Sequence, residues 1–113
     1  MSVQKWSDKI WVAQTSADPV FSEDIEFLQQ KAAGTSMGPH MVIDLSGVSH
    51  LNSSNLSQLL RLRKRIIDTD AQLRLTGPQD PVWAVFISTS LDRVFQFQPD
   101  TSTALAELQL RDS

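Results

Sequence analysis

The chain opens with two short β-prone runs, Val3-Gln4-Lys5-Trp6 and Ile10-Trp11-Val12-Ala13-Gln14, separated by Ser7-Asp8-Lys9. That pattern predicts a hairpin at a sheet edge. After Asp18-Pro19 the apolar period lengthens: Phe21, Ile25 and Leu28 stand at helical spacing, acids fall in the early turns and Gly34 marks a plausible end, so a first helix is expected. Gly34-Thr35-Ser36-Met37-Gly38-Pro39 reads as a linker, and Met41-Val42-Ile43-Asp44-Leu45 as a buried central strand in which Asp44 is the odd residue. Residues 46–52 read as a loop. From Ser53 to Asp68, Leu56, Leu59, Leu60, Ile66 and Ile67 form one broad helical face. Arg63 interrupts that face near its middle, with a stem that can pack while the guanidinium reaches water.

Gln72-Leu73-Arg74-Leu75-Thr76 alternates polar and apolar residues as a strand does, and Gly77-Pro78 ends it. Asp80 before Pro81 signals a third helix, with Asp80 as its cap, leading into Val82-Trp83-Ala84-Val85-Phe86-Ile87. Leu91, Val94, Phe95 and Phe97 mark a turn and a last core strand, and Asp100 is placed to cap a terminal helix through Ala104, Leu105 and Leu108. The predicted order is β-β-α-β-α-β-α-β-α. It describes one α/β domain over residues 1–113, a mixed sheet of four to five strands with helices packed on it. Strand 41–45, helix 53–68 and strand 71–75 make a right-handed crossover between parallel neighbours. Binding loops in such sheets gather beyond the carboxyl ends of the strands, which sets loop 47–53 beside loop 77–81.

Composition narrows the function classes. With 41% hydrophobic and 20% charged residues in 113, the chain can bury one real core. It has no cysteine, which removes disulfides, thiolate catalysis and thiolate metal sites. Its apolar runs are too short to cross a bilayer and its start lacks a hydrophobic leader, so a cytoplasmic location without membrane insertion is expected. The net charge of −3 argues against nucleic acid as partner. Arg61, Arg63, Lys64 and Arg65 scatter over several helix faces and read as solvated charges complementing a helix carboxyl end.

Candidate chemistry concentrates in residues 44–58. Asp44 is expected to tie down the loop that follows it. His50 reads as a loop residue, because no second histidine or carboxylate stands at metal-ligand spacing and His40 lies across the strand. A Ser53–His50–Asp44 hydrolase triad lacks the Gly-x-Ser-x-Gly elbow and is too local for its parts to be oriented. Neither a catalytic residue nor a metal ligand is assigned, and no cofactor is expected. A serine in the first turn of a helix has another use: the unpaired N–H groups and positive dipole end there can accommodate a dianionic phosphate.

The run Val42-Ile43-Asp44-Leu45-Ser46-Gly47-Val48-Ser49-His50-Leu51-Asn52-Ser53-Ser54-Asn55-Leu56-Ser57-Gln58-Leu59-Leu60 resembles the signature of the bacterial STAS family, the domain of anti-sigma-factor antagonists. That signature is a strand ending in Asp-Leu-Ser, a loop, then Asp-Ser-Ser or Asp-Ser-Thr, Gly-Leu and a leucine-rich helix. Leu73-Arg74-Leu75-Thr76-Gly77, Ser90-Leu91-Asp92-Arg93-Val94-Phe95 and the final helix with Ala104-Leu105 are also similar to the family, so the resemblance spans residues 41–108.

The resemblance implies a non-enzymatic switch that sequesters an anti-sigma factor and so regulates transcription. In the family the serine after the Asp is phosphorylated by a cognate serine kinase of the GHKL type, which is also the anti-sigma factor, and a phosphatase is a further partner. ATP and magnesium belong to that kinase. The acceptor position corresponds to Ser53, with Ser54 as second choice, and the partner-binding surface to Ser49, His50, Asn52, Ser53, Ser54, Asn55 and Leu56. Three departures stand out: Asn52 replaces the usual Asp, Asn55 the usual Gly, and Thr15-Ser16-Ala17-Asp18-Pro19 the family's Gly-Glu-Leu-Asp stretch. Asn55 is expected to add a side chain where a partner approaches. Asn52 and Asn55 also keep open a second reading, a constitutive scaffold resembling the small STAS subunit of lipid-transporting ABC systems.

Overall fold

The computed structural model describes residues 2–33 and 38–111; the expected linker lies mostly outside them, at 34–37. Strands β1 (Ser2–Lys5) and β2 (Ile10–Gln14) form the expected antiparallel hairpin, with Lys5 opposite Trp11. β3 (His40–Asp44) pairs parallel with β2, β4 (Leu73–Thr76) with β3, and β5 (Phe97–Gln98) with β4. Order in space therefore equals order in sequence, with β1 at one edge, as expected, and β5 at the other. The connections are α1 (Val20–Ala33), α2 (Ser53–Asp68) and α3 (Asp80–Ser88) with a 3-10 turn at Leu91–Arg93; α4 (Thr101–Arg111) follows β5. None of these helices is long and apolar enough to cross a membrane.

Two apolar layers form because strand side chains alternate between faces. Ala13, Met41, Ile43, Leu73 and Leu75 meet α1, α2 and α3 on one face, while Ile10, Val12 and Val42 meet Ala104 and Leu108 of α4 on the other. This explains β4, where the polar/apolar alternation separates two covered faces and not core from solvent. All four of its residues are buried, Arg74 at 1% exposure. The Arg74 Nε donates to Glu107 Oε1 of α4 at 2.6 Å and Nη1 donates to Gln72 Oε1 and the Leu73 carbonyl. That guanidinium bond holds the Glu107 carboxyl below the usual carboxylate range.

Details of the helices depart from expectation for local reasons. The core stripe of α2 is Asn55, Leu59, Leu62 and Ile66, with Leu56 beside it. Leu60 and Ile67, expected on the core face, stand one residue further round and are 36% and 43% exposed. Arg63 is half-buried beside Ile67, Leu73 and Phe95. Asp80 does not cap α3: it is the first helical residue, and Gln79 occupies the cap position without a side-chain bond to the helix. The Gln79 Nε2 donates instead to the Ser46 carbonyl at 2.7 Å. Asp100 does cap α4, its Oδ1 accepting the Thr103 N–H at 2.8 Å. Phe95 is core as expected but precedes the strand, and with Phe97 it packs edge-on against Phe86.

Candidate functional site

Because β2, β3, β4 and β5 run parallel, their carboxyl ends lie at one end of the sheet, and α1, α2, α3 and α4 all begin there. The β3–α2 loop is anchored at both sides. Asp44 Oδ1 accepts the Ser46 N–H at 2.9 Å, as its expected tying role requires, and Val48 and Leu51 are buried. The loops after β3 and β4 meet through Gln79 and Ser46, as expected from topology. A third loop, 15–19 after β2, completes the group. A Cβ on Gly47 would stand 3.0 Å from the Thr15 carbonyl, so that close approach depends on glycine. The Thr15 Oγ1 in turn donates to the buried Asp24 of α1 at 2.6 Å.

The start of α2 is closed by a reciprocal pair. Asn52 Oδ1 accepts the Asn55 N–H at 2.8 Å and Asn55 Oδ1 accepts the Asn52 N–H at 3.1 Å, a capping box built from two asparagines. The remaining donors of both carboxamides reach Asp18 Oδ2, at 2.9 Å from Asn55 and 3.3 Å from Asn52. Asp18 Oδ1 accepts the N–H and hydroxyl of Ser22 at 2.8 and 2.6 Å. Gln58 closes the ring, its Oε1 accepting from Asn55 and its Nε2 donating to Ser22 Oγ. Hydrogen bonds from Ser22 first and then Asn55 lower the Asp18 carboxyl to about 2, so it is ionised at neutral pH.

This ring corrects the expected surface. Asn55 is fully buried and Leu56 nearly so, because both point inward from the first turn of α2; neither presents a side chain to a partner. Ser49, His50, Asn52, Ser53 and Ser54 are exposed. Asp18, Ser22 and Gln58 were not among the expected site residues. Their one signal was Asp18-Pro19 ahead of a helix, an acid in capping position. The triad does not assemble among the described residues: His50 Nδ1 contacts Ser49 Oγ at 3.1 Å, Asp44 is engaged by Ser46, and no hydrogen bond links either to Ser53.

Ser53 is the first residue of α2, exposed, and among the described residues its hydroxyl takes part in no hydrogen bond. The charge around it is one-signed. Loops 15–19, 45–52, 77–79 and 99–100 and the first turns of the four helices carry Asp18, Glu23, Asp80 and Asp100 but no Lys or Arg. All 10 Lys and Arg of the chain lie elsewhere, on strands, later helical turns or the opposite loops.

Sheet order, helix placement and a loop set gathered at the helix starts define a small α/β domain whose connecting loops and helix starts share one end. The chain belongs to the STAS domain family, whose model matches residues 8–104. Solved structures share the fold. A Thermotoga maritima protein described as an anti-sigma factor antagonist aligns with TM-score 0.80 and 17% identity over 96% of this chain and 93% of its own. An anti-sigma-factor antagonist (STAS) domain protein from Planctomyces limnophilus gives 0.78 and 20%, covering 96% and 97%. RsbS of Moorella thermoacetica, in a serine-to-glutamate variant, gives 0.77 and 19% with full coverage of both chains. No curated protein sequence matches the chain.

Proposed function

We propose that the chain is an anti-sigma-factor antagonist switched by phosphorylation of Ser53. Unmodified, it holds an anti-sigma factor that is also a serine kinase, and modified it lets go. The observation that carries this reading is an exposed serine with an unengaged hydroxyl at the first position of a capped helix, in the loop that bears the family signature. Transfer forms the Ser53 Oγ–P bond, breaks the terminal phosphoanhydride bond of a nucleoside triphosphate and releases the hydroxyl proton to a base on the kinase. The positive end of α2 tolerates the new dianion, so the fold survives. A partner packed on the bare loop instead meets nearly two new charges with their hydration, and loses contact through desolvation and bulk. On this reading the chain is a binding protein of the bacterial cytoplasm, without chemistry of its own, and a phosphatase would restore it.

Phosphorylation is tested by intact-mass and peptide mass spectrometry after incubation with ATP and the candidate kinase. One phosphate on Ser53, absent from Ser53→Ala, supports the switch; a phosphate on Ser54 moves the acceptor by one residue. The ring around Asp18, which braces the start of α2, favours one other reading, a constitutive docking scaffold. An unmodified chain that binds its partner stably, and does so equally as Ser53→Asp, would establish that reading instead.

A further inference from the structure

Two residues that depart from the family pattern, Asn52 and Asn55, are the ones that bridge the α2 start to loop 15–19. Their carboxamides supply two of the four hydrogen bonds to Asp18, and the other two come from Ser22 in α1. An aspartate at 52 and a glycine at 55 would offer no such donors. The bridge is graded: Asn55 is fully buried and bonds at 2.9 Å, while Asn52 is exposed and bonds at 3.3 Å. Ser53 follows Asn52 directly, about 3.8 Å away between α-carbons.

Resting on the reading of Ser53 as phosphoacceptor, we infer that Asp18 receives the mark: a phosphate on Ser53 loosens the Asp18–Asn52 and Asp18–Asn55 bonds and so uncouples loop 15–19 from the start of α2. Ser53 follows Asn52, whose Nδ2 bonds Asp18 at 3.3 Å, so the dianion enters one residue along from an Asp18 contact, and like charges brought near each other repel. No Lys or Arg from any of the loops or first turns at this end stands between them. The phosphate also competes for the Asn52 side-chain Nδ2–H donor, because a dianion is a stronger acceptor than a carboxylate already sharing its charge over four bonds. Asn52 yields first. Loop 15–19 then keeps its ties to α1, Thr15 to Asp24 and Asp18 to Ser22, and loses its bridge to the start of α2.

The test uses the full chain, isotope-labelled, at neutral pH. Hydrogen exchange of the Asn55 side-chain NH2, and the positions of the Asn52 and Asn55 side-chain NH2 signals, are compared in the wild type, Ser53→Asp, the neutral Ser53→Asn, and Gln109→Glu, which adds one charge at the far end of α4. Ser53→Asp is expected to speed Asn55 side-chain exchange about threefold or more, as one added charge at close range implies; Ser53→Asn and Gln109→Glu leave that exchange rate within about twofold of the wild type. In an Asp18→Asn background the acceleration disappears. Asn55 side-chain exchange in Ser53→Asp equal to that in Gln109→Glu would overturn the inference. Mass spectrometry of the kinase reaction tests the acceptor separately, so a failed relay and a wrong acceptor give different results.

Discussion

Glycine at position 55 is the residue the family pattern carries, yet installing it in this chain is expected to destabilise the fold. Asn55 is fully buried and makes four hydrogen bonds: its N–H to Asn52, its Oδ1 from Asn52, and its Nδ2 to Asp18 and Gln58. Asn55→Gly keeps the first and removes the rest. A neutral hydrogen bond contributes about 1 kcal/mol net and one to a charged group about 1.5–3 kcal/mol. The Asn52 N–H and Gln58 Oε1 lie near the surface and recover water, which discounts their loss. Glycine also lowers helix propensity by a few tenths of a kcal/mol relative to asparagine. The sum is a loss of about 2–4 kcal/mol, a large part of a small domain's stability. Urea unfolding followed by tryptophan fluorescence is the assay, and with a slope of about 1–3 kcal/mol per molar the midpoint should fall by roughly 1–2 M. A loss under about 1 kcal/mol would refute the reasoning, because it would mean that the ring around Asp18 contributes nothing to holding α2 against α1.

Leu62→Ala is expected to cost about 2–5 kcal/mol and Leu60→Ala well under 1 kcal/mol, since Leu62 is fully buried and Leu60 stands at the margin; thermal unfolding of the two variants ranks them. Arg74→Ala, which empties a fully buried position and leaves the partly exposed Glu107 to water, should destabilise by about 2–4 kcal/mol, chiefly through the lost packing, whereas Arg74→Met restores much of that in the same assay. The Asp18 carboxyl is lowered from 3.8 to about 2 on folding. Its contribution is complete above pH 3.8 and is lost as pH falls through about 2. Asp18→Asn should therefore flatten the acid limb of stability between those values, as read by urea titrations at successive pH.

Elements were legible where periodicity is long and caps are local. Helix α2 begins and ends where its apolar pattern and Asn52 place it. The face of that helix was less legible: Leu60 and Ile67 are as apolar as Leu62, and only the packing of α1 decides which of them turns inward. Arg74 shows the same limit in a strand, because alternation cannot distinguish solvent from a second apolar layer until α4 is laid over it. Asp80 had the right chemistry for a cap, but the chain enters α3 one residue earlier and Gln79 is drawn to Ser46 by a contact 33 residues away. At the site, Ser49, His50, Asn52, Ser53 and Ser54 were legible from the signature, and all are exposed. Asp18, Ser22 and Gln58 were not: Asp18 and Ser22 bond locally, but the bonds that bring them to Asn52, Asn55 and Gln58 span 34 to 37 residues.

The absence of Lys and Arg from the helix-start end bears on who can read a phosphoserine there. Many phosphorylated proteins answer their own modification by folding an arginine over it, which hides the charge and reorders a segment. This chain keeps every arginine and lysine out of the four loops and first turns around Ser53, so a phosphate placed there would meet the N–H groups and dipole of α2 but no cationic side chain. It would be a message the protein carries without being able to open. Whatever recognised it would have to bring its own cation, and a partner shaped only for the bare hydroxyl would find no side-chain charge on this surface to offset the new one.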